Sequence, residues 1–372
     1  MSKSTGDVVI IGGGIVGVST AYFLGKAGVR STIIERDSVG SHASGFAYGG
    51  VSALGGIGNP GPLSPIAAEG MRIHAELSTS LLEETGINTE FRYRMSLSLA
   101  FTEDEVRDGE AHVRWVDGHE GHSARWLDSA EAREIEPRIS DKALGAAYIG
   151  GGADVEPYRF SLALAQAAES IGATLRHGTV ASLRRESGRV KTVVLKSGEV
   201  PCDAVVLAMG PWSGLASEWL GTPINVKPLK GQIIRLRAPG PPLWCSVGWA
   251  GEYATTKPDG LVWAGTTEED AGFDETTTTD ARDSIMASLV KMLPAMADAQ
   301  LVQQTACLRP MSDDGLLVLG PVPGWEGGYA ATGGARTGIA LGPAMGRIAA
   351  DLVTTGGSDV PIDAFDPGRF AS

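Results

Sequence analysis

Cysteine is scarce in these 372 residues: Cys202, Cys245 and Cys307 stand far apart, with neither metal-ligand spacing nor the even set of a disulfide framework. That excludes a disulfide-stapled secreted scaffold and fits a reducing compartment, so the expected location is cytoplasmic. Long apolar runs are missing as well. No stretch offers the roughly 18 uninterrupted apolar residues of a membrane span. The amino end, Met1 to Asp7, carries one Lys and no small-residue cleavage site, so neither a transmembrane helix nor a signal peptide is expected. Positive charge is short: 31 Lys and Arg against 44 Asp and Glu leave a net charge of −13 with no basic run. Such a field repels phosphate backbones, and nucleic acid is not an expected partner. The six histidines, His42, His74, His112, His119, His122 and His177, form no triad or metal pattern, so none is a convincing general base and no metal site is expected.

What is present is enough apolar content, 43%, to bury a large core, in a chain long enough for two domains. The opening reads as a βαβ unit. Val8-Val9-Ile10-Ile11 is a β-branched run suited to a buried parallel strand, Ile15 to Ala27 a helix with Gly28 at its C-terminal end, and Ser31-Thr32-Ile33-Ile34 a second strand. A glycine-rich loop, Gly40 to Pro65, follows, and then a helix from Ile66 to Leu82 and a polar, less regular stretch to about Arg138. Further on come a helix from Phe160 to Ile171, strands near Val180, Val190–Leu195 and Ala204–Ala208, and a strand-rich zone from Val226 to Thr267. A helix from Asp280 to Leu293, a strand at Leu316–Leu319 and a last helix of about Ile339 to Val353 complete the pattern. No repeat or low-complexity tract interrupts it. Strand-rich insertions between α/β pieces predict two interleaved domains, one built from separated segments.

Gly12-Gly13-Gly14-Ile15-Val16-Gly17 matches G-x-G-x-x-G between a strand and a helix, and Glu35 ends the next strand 18 residues beyond Gly17. In such a unit Gly12 permits the tight turn, Gly14 lets the backbone approach a pyrophosphate at the helix N-terminus, and Gly17 lets the helix pack on the strand. Glu35 can accept hydrogen bonds from a ribose 2′-OH while repelling a 2′-phosphate, which favours FAD or NAD over NADP. No second fingerprint occurs.

Beyond this fingerprint, an ordered set of stretches resembles the D-amino-acid oxidase superfamily, within it the glycine oxidase and sarcosine oxidase branches. They are Val9 to Gly17, Asp154-Val155-Glu156-Pro157-Tyr158, Ala208-Met209-Gly210-Pro211-Trp212-Ser213-Gly214, Leu229-Lys230-Gly231-Gln232, Leu308-Arg309-Pro310-Met311-Ser312-Asp313-Asp314-Gly315 and Ala331 to Ile339. The resemblance implies FAD as cofactor. It also implies a mixed α/β fold (α/β with α+β character), in which a Rossmann-like FAD-binding domain interleaves with an antiparallel-sheet substrate domain. The expected bounds are 1–85, 145–225 and 308–372 for the first and 86–144 and 226–307 for the second. Cofactor contacts are expected at Gly12, Gly14, Ile15, Val16, Gly17, Glu35, Arg36, Ser44, Gly49, Val180, Gly210, Trp212, Gly334, Arg336, Thr337, Gly338 and Ile339. The last helix would point its N-terminus at the flavin's pyrimidine edge, where negative charge collects on reduction.

The activity implied is oxidation of the Cα–N bond of a small amino acid such as glycine, sarcosine or another N-substituted glycine, or a small D-amino acid. Hydride would pass to flavin N5, the imine would hydrolyse, and O2 would yield H2O2. Such chemistry needs a pinned carboxylate, the task of a planar guanidinium fork. Arg309 matches the carboxylate-binding Arg, Arg336 a second Arg lining the site, and Tyr253 a substrate-facing hydroxyl. For Arg309 the structural alternative is an ion pair with Asp313 or Asp314. Cys307 matches the cysteine that sarcosine oxidase bonds to its flavin and that glycine oxidase lacks, so covalent and non-covalent FAD both stay open. Trp263 stands where sarcosine oxidase has a lysine thought to assist oxygen, which keeps open an FAD-dependent dehydrogenase that hands electrons to a quinone or other acceptor. A non-catalytic FAD-binding subunit of a heteromeric amine oxidoreductase and a homo-oligomer are further options.

Overall fold

The computed structural model describes residues 7–54 and 61–370. Residues 1–6, part of the stretch searched for a signal peptide, and 55–60 of the glycine-rich loop lie outside the described residues. The chain divides into two compact units. Unit 1 comprises Met1–Phe91, Val155–Leu229 and Leu308–Ser372, and unit 2 comprises Arg92–Asp154 and Lys230–Cys307.

The first segment of unit 1 holds β1 (Val8–Ile11), α1 (Ile15–Lys26), β2 (Ser31–Glu35), α2 (Ala43–Phe46), β3 (Gly50–Ser52) and α3 (Ser64–Thr85). Unit 2 opens with β4 (Arg92–Ala100), α4 (Glu103–Asp117), β5 (Ser123–Asp128), α5 (Ser129–Ile135) and β6 (Gly145–Asp154). The chain returns to unit 1 with α6 (Pro157–Ser170), β7 (Thr174–His177), β8 (Val180–Glu186), β9 (Arg189–Leu195), β10 (Gly198–Pro201), β11 (Ala204–Leu207) and α7 (Ala216–Leu220). Next, β12 (Val226–Arg237) carries it into the second segment of unit 2, which adds β13 (Ser246–Trp249), β14 (Glu252–Thr256), β15 (Val262–Gly265) and α8 (Thr279–Met292). The long β16 (Gln300–Ser312) leads back to unit 1, which ends with β17 (Val318–Pro321), β18 (Gly328–Thr332) and α9 (Gly338–Thr355).

In unit 1 a six-stranded sheet runs in the order β17-β18-β11-β1-β2-β7. The pairs from β18 to β7 are parallel, and only β17 joins antiparallel. All four residues of β1 are buried, as an inner parallel strand with both faces covered requires. A separate antiparallel ribbon, β10-β9-β8, packs Leu183, Val190, Val193 and Leu195 into the same apolar cluster as Val9, Val205 and Leu207.

Unit 2 is built on the order β16-β12-β15-β14-β13-β4-β6, with β5 pairing β6 off this path. The pairings that fix its register are antiparallel except β13 with β4, a departure from the purely antiparallel sheet expected. Its core gathers Leu97, Leu127, Ile234, Val247 and Ala264 from the sheet with Ile285 and Leu289 from α8. At one end of the ladder Arg92 and Asp154 face each other in register. The guanidinium grips the buried carboxylate at 2.8 and 3.2 Å and also donates to the Thr256 carbonyl at 2.7 Å.

The mixed α/β class agrees with expectation, but several local readings need correction. The stretch to Arg138 read as irregular holds two strands and two helices. Its helices start with capping boxes, Thr102 with Glu105 and Asp128 with Glu131, a signature visible in the sequence. The glycine-rich loop contains α2 and β3. Residues Gly145–Asp154, expected among the cofactor-binding segments, cluster with unit 2 because β6 pairs with β4 and β5. The strand read at Leu316 begins at Val318, since Ser312 folds back to donate its hydroxyl to the Leu316 carbonyl. Among the described residues no helix is long and apolar enough to cross a membrane.

Candidate active site

The parallel strands of unit 1 place their carboxyl ends on one edge of the sheet, where open α/β sheets bind ligands. The turn after β1 carries Gly12 to Gly17, β2 ends at Glu35 with Arg36 next, β11 is followed by Gly210 and Trp212, and β18 by Gly334 to Ile339. Residues far apart in the chain therefore share one edge because their strands are neighbours.

The first turn is closely built. Gly12 has φ +110°, and a Cβ there would lie 2.2 Å from the Ala208 carbonyl oxygen. At Gly17 a Cβ would lie 1.9 Å from the Gly12 oxygen. Both glycines are demanded by the protein's own backbone. The Glu35 carboxylate accepts from the Gly13 N–H at 2.6 Å and the Asp37 N–H at 2.8 Å, which ties the end of β2 to the turn and leaves lone pairs for ribose hydroxyls. Ser44 on α2 accepts from the Ile15 N–H at 3.0 Å. The Val16 carbonyl accepts from Thr20 at 2.8 Å, inside α1.

Arg36 lies over the Trp212 ring at 3.8 Å and pairs with Asp37 at 2.8 Å. His42 also reaches Asp37 at 2.8 Å and meets Trp212 edge-on at 4.8 Å. His42 and Asp37 had no sequence signal. They belong here because the loops after β2 and β11 meet. The Asp37 carboxyl is held below its usual range by its bond to His42 and then by Arg36. The Gly210 carbonyl accepts from Ser213 at 2.7 Å and from Thr332 at 3.2 Å, tying the loop after β11 to the end of β18. Gly49 and Val155 bond where α6 approaches, with the Gly49 carbonyl accepting from the Val155 N–H at 2.9 Å. Val180 opens β8 opposite Leu195.

The helix starts test the fit to a dinucleotide. Helices α4, α5, α6 and α8 begin with side chains that accept from first-turn N–H groups. Helix α9 begins with no capping side chain and no acidic residue in the first turn, as does α3; α1 likewise has no acidic residue in its first turn, and its Ile15 N–H is met by the neutral Ser44 hydroxyl. The positive pole of α9 therefore meets no first-turn carboxylate, while at α1 the Glu35 carboxylate already takes the Gly13 N–H just before the helix. These two helices pack closely: a Cβ on Gly342 would lie 2.7 Å from the Ile15 side chain, and one on Gly346 would lie 2.4 Å from Ser19. A glycine-lined turn, a carboxylate at the end of β2 and the uncapped start of α9 are features that fit a dinucleotide such as FAD.

Arg309 is half-buried on β16, and Arg336 is exposed in the turn before α9. The carboxylates offered by sequence as Arg309's structural partners pair with other cations, Asp313 with Lys227 at 3.6 Å and Asp314 with Arg369 at 2.7 Å. The bond to Arg369 pulls the Asp314 carboxyl down to about 2. In unit 2, Tyr253 is half-buried on β14 and lies opposite Gly248 and Gly265 in register. Trp263 is 2% exposed, with Arg235 over its ring at 3.8 Å and its indole N–H donating to Asp259 at 3.1 Å. Cys307 is buried on β16.

The sequence profile of the FAD dependent oxidoreductase family (DAO) matches residues 7–352. The chain belongs to this family of flavoenzymes, and FAD is its cofactor. Among its relatives, the glycine oxidase of Geobacillus kaustophilus is 33% identical over 349 residues, covering 93% of this chain and 92% of that protein. A crystal structure of that glycine oxidase superimposes with a TM-score of 0.93 over 99% of both chains at 31% identity. The hydrogen cyanide synthase subunit HcnC of Pseudomonas aeruginosa is 30% identical, covering 98% of this chain and 96% of the subunit. Iminodiacetate oxidase (IdaA) from Chelativorans sp. BNC1 is similar in structure, with a TM-score of 0.87 and 28% identity over 97% of this chain and 98% of that one. The chain is thus an FAD-dependent oxidoreductase of the kind that oxidises amino acids and amines.

Proposed function

We propose that the substrate is glycine or an N-substituted glycine, oxidised at the Cα–N bond, with dioxygen as electron acceptor and H2O2 as product. The reading is carried by likeness to a glycine oxidase along the whole chain. FAD, when bound, accepts the hydride equivalent from the substrate carbon and passes the electrons on. The chain's own residues supply position and charge. Arg309 binds the substrate carboxylate through two parallel charge-assisted hydrogen bonds. Arg336 adds a second positive charge, and Tyr253 offers a hydroxyl to the same carboxylate. No protein base is required if the amine enters neutral, so orientation and electrostatics do most of the work.

A second reading keeps the oxidation but sends the electrons to a quinone or other acceptor. It is favoured by the buried Trp263 at the position where a related oxidase has a lysine. Non-covalent FAD is the preferred linkage, with Cys307 the attachment point in the covalent alternative. The deciding experiment follows flavin absorbance anaerobically against glycine, sarcosine, iminodiacetate, D-alanine and proline, and then admits air. Bleaching by glycine or an N-substituted glycine with rapid return of colour is expected. Slow reoxidation in air selects the second reading, and a flavin that no amine bleaches refutes both. Acid precipitation separates the linkages: yellow supernatant for free FAD, yellow pellet for a bond to Cys307.

A further inference from the structure

Helix α9 carries a proline in its second turn, and the rest of the fold has arranged for it. In a regular α-helix the Ile339 carbonyl accepts from the N–H of residue 343. Residue 343 is Pro343, which has no N–H and whose ring crowds the carbonyl four residues earlier. The Ile339 carbonyl is instead met from outside the helix, at 2.9 Å, by Nε2 of His74 on α3. His74 is 1% exposed, and its ring stacks on the buried Phe160 of α6 with centroids 4.5 Å apart. One turn earlier on the same face of α3, a Cβ on Gly70 would lie 2.2 Å from the Ala340 oxygen. The absence of a side chain there lets α3 come close enough for His74 to reach.

The tautomer follows from the acceptor. A carbonyl can only accept, so Nε2 carries the proton, and Nδ1 is bare, buried and without a partner among the described residues. Burial pulls the imidazole down to about 4, only partly opposed by the carbonyl bond, so the ring is neutral at physiological pH.

We propose that His74 is a positioning residue for cofactor binding: it donates to the Ile339 carbonyl that Pro343 cannot serve, and so fixes the first turn of α9. The inference rests on the reading that Thr337, Gly338 and Ile339 meet the flavin. His74 itself touches neither cofactor nor substrate in this account. The strand-end loop before α9 and the helix start depend on it for their place, and a shift of the turn changes the donors offered to the cofactor.

The test is a double-mutant cycle on the full chain with wild type, His74→Leu, Pro343→Ala and the double variant. FAD dissociation constants are measured on apoprotein by fluorescence, and amide exchange is followed across residues 339–346. His74→Leu leaves a buried carbonyl without its donor, and about a tenfold weaker FAD complex with faster exchange is expected. Pro343→Ala restores the intrahelical donor. Alone it should change affinity by no more than about twofold, and in the double variant it should recover most of the loss. His74→Gln, which keeps an N–H at similar reach, should retain most of the affinity. A double variant no tighter than His74→Leu overturns the proposal, as does a His74→Leu protein with wild-type affinity. Fast exchange rescued by Pro343→Ala with FAD affinity unmoved also overturns it, and shows that the turn is held by His74 but does not bear the cofactor. If His74→Leu fails to fold, the double variant and His74→Gln carry the test, and failure of both refutes the exchange of donors.

Discussion

Comparing Gly338 with Gly17 tests whether a glycine is required by a ligand or by the fold. At Gly17 a Cβ would stand 1.9 Å from the Gly12 oxygen, so α1 would have to move by more than about 1 Å from the turn it packs on. Overpacking of this kind costs roughly 3 kcal/mol, so apoprotein of Gly17→Ala should melt about 4 °C lower. Gly338 is the opposite case. Its φ is −54° and ψ −35°, ordinary helical values, and a Cβ there would meet no protein atom within 4 Å. Nothing among the described residues asks for glycine, and alanine should stabilise the apoprotein by about 0.4–1 kcal/mol through the unfolded chain, raising its Tm by roughly 1 °C. If the first turn of α9 lies against FAD, the added methyl meets the cofactor, and the dissociation constant should rise by at least about tenfold, which is about 1.4 kcal/mol. The assay is differential scanning of apoprotein beside FAD titration of the same samples. Gly338→Ala with wild-type FAD affinity refutes the placing of the cofactor at α9, whatever its melting temperature.

Arg309→Lys exchanges a planar fork for a point charge, and should lower kcat/KM for anaerobic flavin reduction by roughly 30- to 100-fold with FAD still bound at one per chain; an unchanged rate removes Arg309 from the site. Glu35→Gln leaves one carbonyl oxygen for the two amides of Gly13 and Asp37, so about 1–2 kcal/mol should be lost from apoprotein stability in urea, together with FAD affinity. Because the folded His74 ring protonates only near pH 4 while the unfolded one does so near 6.5, the unfolded state binds the extra proton between those values. Stability should therefore fall as pH drops through that window, by up to roughly 1.4 kcal/mol per unit, and His74→Gln should flatten the slope in urea titrations at pH 7, 6 and 5. An identical slope in the variant would show that the ring does not titrate as its burial implies.

The βαβ opening was legible because its signals are local. Four β-branched and aliphatic residues make an inner parallel strand, three glycines make a turn, and an acidic residue ends the next strand. Arg36, Gly210, Trp212 and the Gly334–Ile339 segment came from likeness to other chains, and no spacing in this one predicts that they share an edge. That edge exists because β18, β11, β1 and β2 are neighbours in one parallel sheet. The stretch to Arg138 looks irregular in sequence because its helices are polar, and their capping boxes are the local signal that marks them.

The sequence by itself determined the dinucleotide turn, the acidic balance and the alternation of strand and helix, since each depends on residues within a few positions of one another. Only the tertiary structure decided which loops meet at the strand ends, that Asp313 and Asp314 serve Lys227 and Arg369, and that a histidine 265 residues before Ile339 takes over a hydrogen bond that Pro343 cannot make. Those pairings depend on distances set by packed helices and strand order, and a linear chain carries no record of them until it folds.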